Sequence, residues 1–588
     1  MPSPPTDEQI AFARHPEGCF LAACPGSGKT RTILDRLARL SQELPPRRGV
    51  AALSFTNAAV EEFKHRCFSS DQLTLTRFPN FIGTLDSFVR HFIFLPGGDF
   101  PLKPVILDSW DSLGIEVRLR GQLAFRGSGV SLDLFDCSTN DIDPDSIGVQ
   151  ALRDHVAQHR ARYVAAAGSH RMGLIRAGYF SAGDARTKAL EFLADAAIGP
   201  ALARALSARF AEIIVDEGQD CNPSDLTFLN WLRNAGISVT LVCDPNQAIY
   251  EFRDGNLENL NAFRDTYREE SKLRLTGNFR SSQIICRLAS SLRSNGVADE
   301  ALGDHRDAGL PIHILSYRDD GFSSEIGVRF LSRATRAEIS HSNCIVLAHA
   351  TRWARQAVGT NGTARVEGSS RLAVLASIVS IFRSSSATPR QRETAIQKAE
   401  GLFLDLLGKR DEGEHILRAI ERNSIDRRSL RRQILTFLSE IPWSCTTQAG
   451  DAGRWIEAVR RQGIALNLEL PPRTTIQGFF RAPPNTRWAA ILAPTTEILL
   501  ASSSVHEVKG HEYDGVCLVI PPNRRPHNRT AQLVDAWENV TESEAKRVIY
   551  VAATRARKLK AIALPQTMTE RCLRILERAE VEFERENF

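Results

Sequence analysis

Short apolar runs that stop abruptly at small or charged residues set the rhythm of the chain. Cys19-Phe20-Leu21-Ala22, Val50 to Phe55, Ala211-Glu212-Ile213-Ile214-Val215 and Val239 to Val242 each have the length and composition of a buried strand. After the first run, Ile33, Leu34, Leu37 and Leu40 recur at helical spacing; before it, Thr6-Asp7-Glu8 opens a short helix with a Thr6 cap and acids in the first turn. Strands alternating with helices predict parallel α/β sheets. The long interval between Ser87 and Ala211 is enough chain for a separate subdomain, expected over 96–199. Further on, Ala395 to Leu407 and Leu430 to Leu438 are amphipathic and predict helices.

With 588 residues the chain should hold about three to five domains. Its 43% hydrophobic and 24% charged residues are those of a water-exposed globular protein, and a net charge of +5 permits a local basic groove without demanding one. The eleven cysteines are scattered, with no Cys-x-x-Cys pair and no zinc spacing, so neither a disulfide framework nor a structural metal is expected. Met-Pro-Ser-Pro-Pro lacks the regions of a signal peptide, and Leu372 to Phe382, the longest strongly apolar segment, is too short to span a bilayer. A cytoplasmic protein with no membrane partner is expected.

The chemistry begins at Ala23-Cys24-Pro25-Gly26-Ser27-Gly28-Lys29-Thr30, between the first strand and its helix. Backbone N–H groups at a helix N-terminus hold phosphate, and Gly26, Ser27 and Gly28 are small enough to let the backbone approach. Lys29 neutralises β and γ phosphates and the Thr30 hydroxyl suits Mg²⁺. Ala23 stands where the strict pattern has glycine. Gln9 offers an adenine edge both a donor and an acceptor, with a solvent-facing glutamine the equal alternative. The strand at Ala211 delivers Asp216 and Glu217, an acid to hold Mg²⁺ beside an acid to deprotonate water. Gln247 follows the strand at Val239 as a γ-phosphate sensor must, and Tyr250 and Phe252 are spaced for base stacking. Phe55, Thr56, Thr84 and Ser87, at other strand ends, are candidate contacts to a nucleic-acid backbone, although Thr and Ser also cap helices.

Gln9, the loop at 23–30, Ser-Phe-Thr-Asn at 54–57, Gly-Thr-Leu-Asp-Ser-Phe at 83–88, Asp-Glu-Gly-Gln-Asp at 216–220 and Gln-Ala-Ile-Tyr-Glu-Phe-Arg at 247–253 stand in an order and spacing that together resemble the superfamily 1 DNA helicases of the UvrD/Rep/PcrA group. Gly277-Asn278-Phe279-Arg280-Ser281-Ser282, Val505 to Asp514 and Glu544 to Ala556 resemble the motifs of that family's second lobe. The resemblance implies ATP and Mg²⁺ as cofactors. It implies Phe279, in place of tyrosine, stacking on adenine, Arg280 and Arg555 as arginine fingers on the γ-phosphate, and Glu512 on the ribose. Pro25 and Arg31 join the nucleotide contacts, and Asn57, Arg253 and His506 the DNA contacts. His511 replaces the family's leucine.

The implied architecture is α/β, two RecA-like P-loop NTPase lobes of parallel sheets flanked by helices, with two mainly helical inserted subdomains. The expected divisions are 1–95 with 200–268, the insert 96–199, 269–359 with 490–588, and the insert 360–489. Within the last, Arg427, Arg428, Arg431 and Arg432 form two repulsive i, i+4 pairs that either an anionic partner or solvent would relieve. The expected partners are single-stranded DNA and duplex–single-strand junctions, with 3′ to 5′ translocation and unwinding in repair or recombination. The alternative is a DNA-end-responsive ATPase partnering a nuclease in antiphage defence, as in Gabija. An autonomous nuclease built on Glu507-Val508-Lys509 is rejected, because those residues belong to the motif around Gly510 and no carboxylate constellation accompanies them.

Overall fold

The computed structural model describes residues 4–588 other than 71, 108, 114, 120, 122–124, 126–128, 248–256, 294–297, 360–370, 384–388, 411–415, 443–448, 473, 482–499, 509, 523–528 and 540–542. The chain forms two compact units, one comprising 1–98, 189–362 and 499–588, the other 99–188 and 363–498.

The first unit contains two six-stranded sheets in which every neighbouring pair is parallel. In spatial order the first is Lys272–Leu275, Phe20–Ala23, Ser238–Cys243, Phe210–Val215, Gly49–Ser54 and Phe81–Thr84. Every position of Gly49–Ser54 is buried, and helices Lys29–Glu43 and Asn57–Ser69 pack on it. Parallel strands covered by crossover helices read as unbroken apolar runs for this reason. The second sheet is Ala501–Ser504, Cys344–Ala348, Tyr513–Val519, Ala556–Pro565, Ile312–Tyr317 and Phe583–Asn587. Adjacent residues along its strands enter different cores: Ile314, Leu347, Leu518 and Ile562 join Trp537 and Leu576, whereas Leu315, Val346, Cys517 and Ala561 join Phe330 and Ile326. Alternation of side chains along a pleated strand divides them so, and both faces are buried.

The second unit's first segment runs 99–188, against 96–199 expected for the insert, and it ends inside helix Ala182–Ala194. Phe192 explains the earlier break: its ring lies so close to Gly97 that a Cβ there would be 2.6 Å away. The second unit carries the two-stranded sheets Val105–Leu107 with Tyr179–Ser181 and Glu116–Val117 with Val130–Ser131. It also contains helices Pro389–Leu406, Ile416–Arg422, Arg427–Glu440 and Ala449–Ala465. Helix Ile416–Arg422 packs on the turn Trp110–Leu113, and the Tyr179 hydroxyl donates to Glu421 at 3.0 Å, so the two inserted segments touch.

The arginine pairs find their anion within the chain. Glu400, fully buried, accepts from Arg427 Nε at 2.8 Å and from Arg431 Nε at 2.7 Å, and Arg431 also reaches Glu393. Arg428 and Arg432 face outward, so the expected external anion or solvated face applies to half of the set. Burial alone would raise the Glu400 pKa, but the two guanidinium groups hold it below the ordinary value. Stability from this pair is therefore present above the unfolded glutamate value near pH 4.5 and lost as pH falls through the lower folded value. Glu400→Gln should weaken hydrogen-exchange protection of Pro389–Leu406 and Arg427–Glu440 by about 1–3 kcal/mol at pH 7. The difference from the parent should shrink in acid.

Candidate nucleotide site and nucleic-acid face

The phosphate loop leaves the Phe20–Ala23 strand, held between Ser238–Cys243 and Lys272–Leu275, and enters helix Lys29–Glu43. Gly26 and Gly28 both have left-handed backbones, with φ of 76° and 75°. A Cβ on Gly26 would lie 2.6 Å from the Arg280 Cβ and from Asn278 Oδ1, so glycine is required by backbone and by space. The Gly26 carbonyl accepts from Phe279 N–H at 2.8 Å and Cys24 N–H donates to Leu275 at 3.0 Å, tying the loop to the segment that leads into the second sheet. The Ser27 hydroxyl is buried with no partner among the described residues. Such an inward-facing donor beside an N-terminal turn fits a phosphate.

Gln9 is not the solvent-facing glutamine of the alternative reading. It is buried, its amide nitrogen donates to the Ser27 carbonyl at 2.8 Å, and its oxygen accepts from Thr6 N–H at 3.1 Å. It braces the loop and closes the capping box of Asp7–Arg14. Arg36, fully buried, holds that helix from its other end by donating to the carbonyls of Phe12, His15 and Glu17 at 2.7–2.8 Å and to Glu212 at 2.9 Å. Arg31 lies 4.0 Å from Asp35 and Phe279 is half-buried.

The expected charges converge. Burial opposes the Lys29 ammonium, but Glu217, Asp244 and Asp216 outweigh it and raise its pKa, while Arg280 acts against them. Burial and the adjacent Glu217 push the Asp216 carboxyl up, with Lys29 opposing. A divalent cation relieves such repulsion, and the hard oxygens of Asp216 and Thr30 suit Mg²⁺. Glu217 has φ 57° and ψ 38°, a conformation costly outside glycine, and Gln219 donates to its carboxylate.

From the second lobe, Arg555 donates to the Gln247 side-chain oxygen at 3.0 Å and to the His511 carbonyl at 3.3 Å. His511 itself is exposed and contributes its backbone, which leaves its side chain unconstrained. Burial, and Arg280 nearby, bring the Arg555 pKa down to about 10. Arg280 is ion-paired with Glu512, which also binds Arg557, so the expected ribose ligand here neutralises arginines. Lys560 is buried in the Ala556–Pro565 strand and donates to the Ala552 carbonyl at 2.8 Å, satisfying the end of the helix that precedes Arg555.

Phe55, Thr56, Thr84 and Ser87 sit at the carboxyl ends of neighbouring strands, with Ser54 beside Thr84. Thr56 and Thr84 are helix caps, accepting from Ala59 N–H at 3.2 Å and Ser87 N–H at 3.1 Å, while Ser87 donates to the Thr84 carbonyl at 2.7 Å. Phe55 is half-buried and Asn57 exposed. His506 packs edge-on against His349, with ring centres 5.5 Å apart, and lies 3.8 Å from Glu544. Tyr250, Phe252 and Arg253 lie outside the described residues. Glu507 is bound by Ser503 and by Ser504 N–H, and no group of three or more His, Cys, Asp or Glu able to hold a metal occurs among the described residues. No described helix is long and apolar enough to cross a membrane.

Sequence reasoning missed Asp244, Gln219, Asn278 and Tyr550, each of which orients another site residue. The polar turn after Cys243 was the visible signal for Asp244; Tyr550 lies in the motif stretch Glu544 to Ala556, but a tyrosine in an apolar helix reads as core.

The family model described as the UvrD/REP helicase N-terminal domain matches residues 6–94 and 137–268, and that of the UvrD-like helicase C-terminal domain matches 496–566. The chain is 27% identical over 299 residues to DNA helicase II of Haemophilus influenzae, covering 49% of this chain and 40% of that protein. It is 23% identical over 351 residues to ATP-dependent DNA helicase Rep of Escherichia coli (55% and 48%), and 26% over 304 residues to ATP-dependent DNA helicase PcrA of Leuconostoc citreum (49% and 38%). The matches span less than half the length of these relatives.

Arg36→Met would leave Glu212 buried without its cation and free three carbonyls below the Gln9 helix. The first sheet should lose about 3–5 kcal/mol, read as faster hydrogen exchange across Asp7–Arg14 and Phe210–Val215.

Proposed function

The chain belongs to the UvrD/Rep/PcrA type of superfamily 1 helicases, and from that premise we propose that it couples ATP hydrolysis between its two sheets to 3′ to 5′ movement along single-stranded DNA, unwinding duplex at junctions in repair or recombination. The observation that carries this reading is the hydrogen bond from Arg555 of the second lobe to Gln247 of the first, beside Lys29, Asp216 and Glu217.

Each residue's task follows from its chemistry. The backbone of 26–29 and the Lys29 ammonium bind the β and γ phosphates. Thr30 and Asp216 would hold Mg²⁺, which would neutralise phosphate charge. Glu217 orients water and accepts its proton, and Gln247 aligns that water against the γ-phosphate. Arg280 and Arg555 stabilise the transferring charge from the other lobe, and guanidinium suits this because it stays ionised and binds oxygens bidentately. Arg280 exchanges Glu512 for phosphate when nucleotide binds. Hydrolysis removes the charge that both arginines contact, so the lobes separate and a strand held at their strand ends is displaced. Phe55, Thr56, Asn57, Thr84, Ser87 and His506, with Tyr250, Phe252 and Arg253, are the proposed strand contacts.

The test is the ATPase rate without nucleic acid, with single-stranded DNA and with blunt duplex. Single strands should stimulate it, Lys29→Ala should abolish it, and Glu217→Gln should lower kcat about 10²–10⁴-fold while ATP still binds. Displacement of a strand from 3′-tailed but not 5′-tailed duplex checks polarity. Stimulation by duplex ends alone would instead support an end-responsive ATPase that works beside a nuclease.

A further inference from the structure

Asp244 is buried directly after the Ser238–Cys243 strand. Its Oδ2 accepts from Gln247 Nε2 at 2.8 Å and from the Tyr550 hydroxyl at 3.1 Å; its Oδ1 accepts from Asn246 N–H at 3.1 Å, and its own N–H donates to Gln219 at 2.9 Å. Tyr550, buried on helix Glu544–Ala553 of the second lobe, in turn accepts from Arg293 Nη2 at 2.7 Å and Nε at 3.2 Å. Arg293 stands over the Tyr550 ring at 5.2 Å and is anchored by Asp299, with Nη1 at 2.7 Å from Oδ1.

The proton inventory gives this chain of contacts one direction. Guanidinium only donates, so the phenol oxygen must accept from Arg293, and its single proton is left for Asp244. Asp244 Oδ2 accepts from both the phenol and the Gln247 amide, so the amide turns its NH₂ to Asp244 and its oxygen to Arg555. With the opposite flip, Gln247 would set oxygen against carboxylate and NH₂ against guanidinium.

We propose that Arg293 and Tyr550 are positioning residues for hydrolysis, acting through Asp244 to fix the orientation of the Gln247 amide and to present it only while the two lobes are docked. This rests on the ATPase reading above. The Tyr550 hydroxyl bonds Asp244 and Arg293 rather than Lys29, Asp216 or Glu217. Their loss should therefore slow turnover without weakening nucleotide binding.

The decisive experiment is a double-mutant cycle in the full chain, with Tyr550→Phe and Gln247→Ala alone and combined. Tyr550→Phe removes only the bridging oxygen and keeps the ring. It should lower DNA-stimulated kcat roughly tenfold with KM for ATP within about twofold, and should add no further loss in the Gln247→Ala background. An equal loss in both backgrounds, or no loss, overturns the proposal. Because Arg293→Met alone would strand Asp299, the paired variant Arg293→Met with Asp299→Leu is the second probe, expected to reproduce the Tyr550→Phe split between kcat and KM. Hydrogen exchange of the Asn246 and Gln247 amides without nucleotide gives a readout independent of activity. Tyr550→Phe should accelerate it about tenfold, and unchanged protection refutes the relay. If the parent chain hydrolyses no ATP, the ATPase reading falls, and exchange still decides whether the relay exists.

Discussion

Parallel strands impose the constraint on which the site depends. All strands of a parallel sheet end on the same edge, and the loops leaving that edge bring side chains from distant sequence together in the open. The phosphate loop, Asp216 and Glu217, the Asp244 turn and the capping threonines all follow strands of the first sheet, whose register sets Ala22 beside Cys243 and Leu53 beside Val215. One frame thus aligns five strand ends that sequence separates widely.

That convergence creates an electrostatic problem, because carboxylates, a lysine and two arginines meet in a partly dry space. Lys29 is answered by the acids around it, Arg280 by Glu512 and the neighbouring Arg293 by Asp299, whereas Arg555 meets the Gln247 oxygen and the His511 carbonyl. Buried pairs like these contribute little net stability but are expensive to break singly, so they enforce geometry more than they add strength. The Arg280–Glu512 pair is partly exposed, which leaves it able to exchange partners when phosphate arrives. The Arg293–Asp299 pair is buried beside Tyr550, as a fixed support should be.

Backbone contacts add the mechanical link. Gly26 touches the segment Asn278–Arg280, and Glu8 grips Thr276 through its N–H at 2.7 Å and hydroxyl at 2.9 Å. The Gln9 helix, the phosphate loop and the connection to the second sheet therefore behave as one joint. A change in the loop has a short physical path to the arginines.

The sequence by itself determined the elements and the chemistry of the first lobe. Strand, glycine loop and helix are local patterns, and Lys29, Asp216, Glu217 and Gln247 stand at strand ends that apolar runs make visible. Second-lobe Arg280 and Arg555 were readable only through a family resemblance, since no local pattern distinguishes an arginine finger from a surface arginine. Tertiary structure alone decided the partners. Gln9 binds the loop's own carbonyl, Glu400 answers two arginines that sequence left facing outward, and Tyr550 turns its hydroxyl from within the core to Asp244. These outcomes depend on pairs far apart in the chain, and a hydrogen bond is specified by the distance and direction of two groups at once. Periodicity along one strand or helix carries no information about that second group.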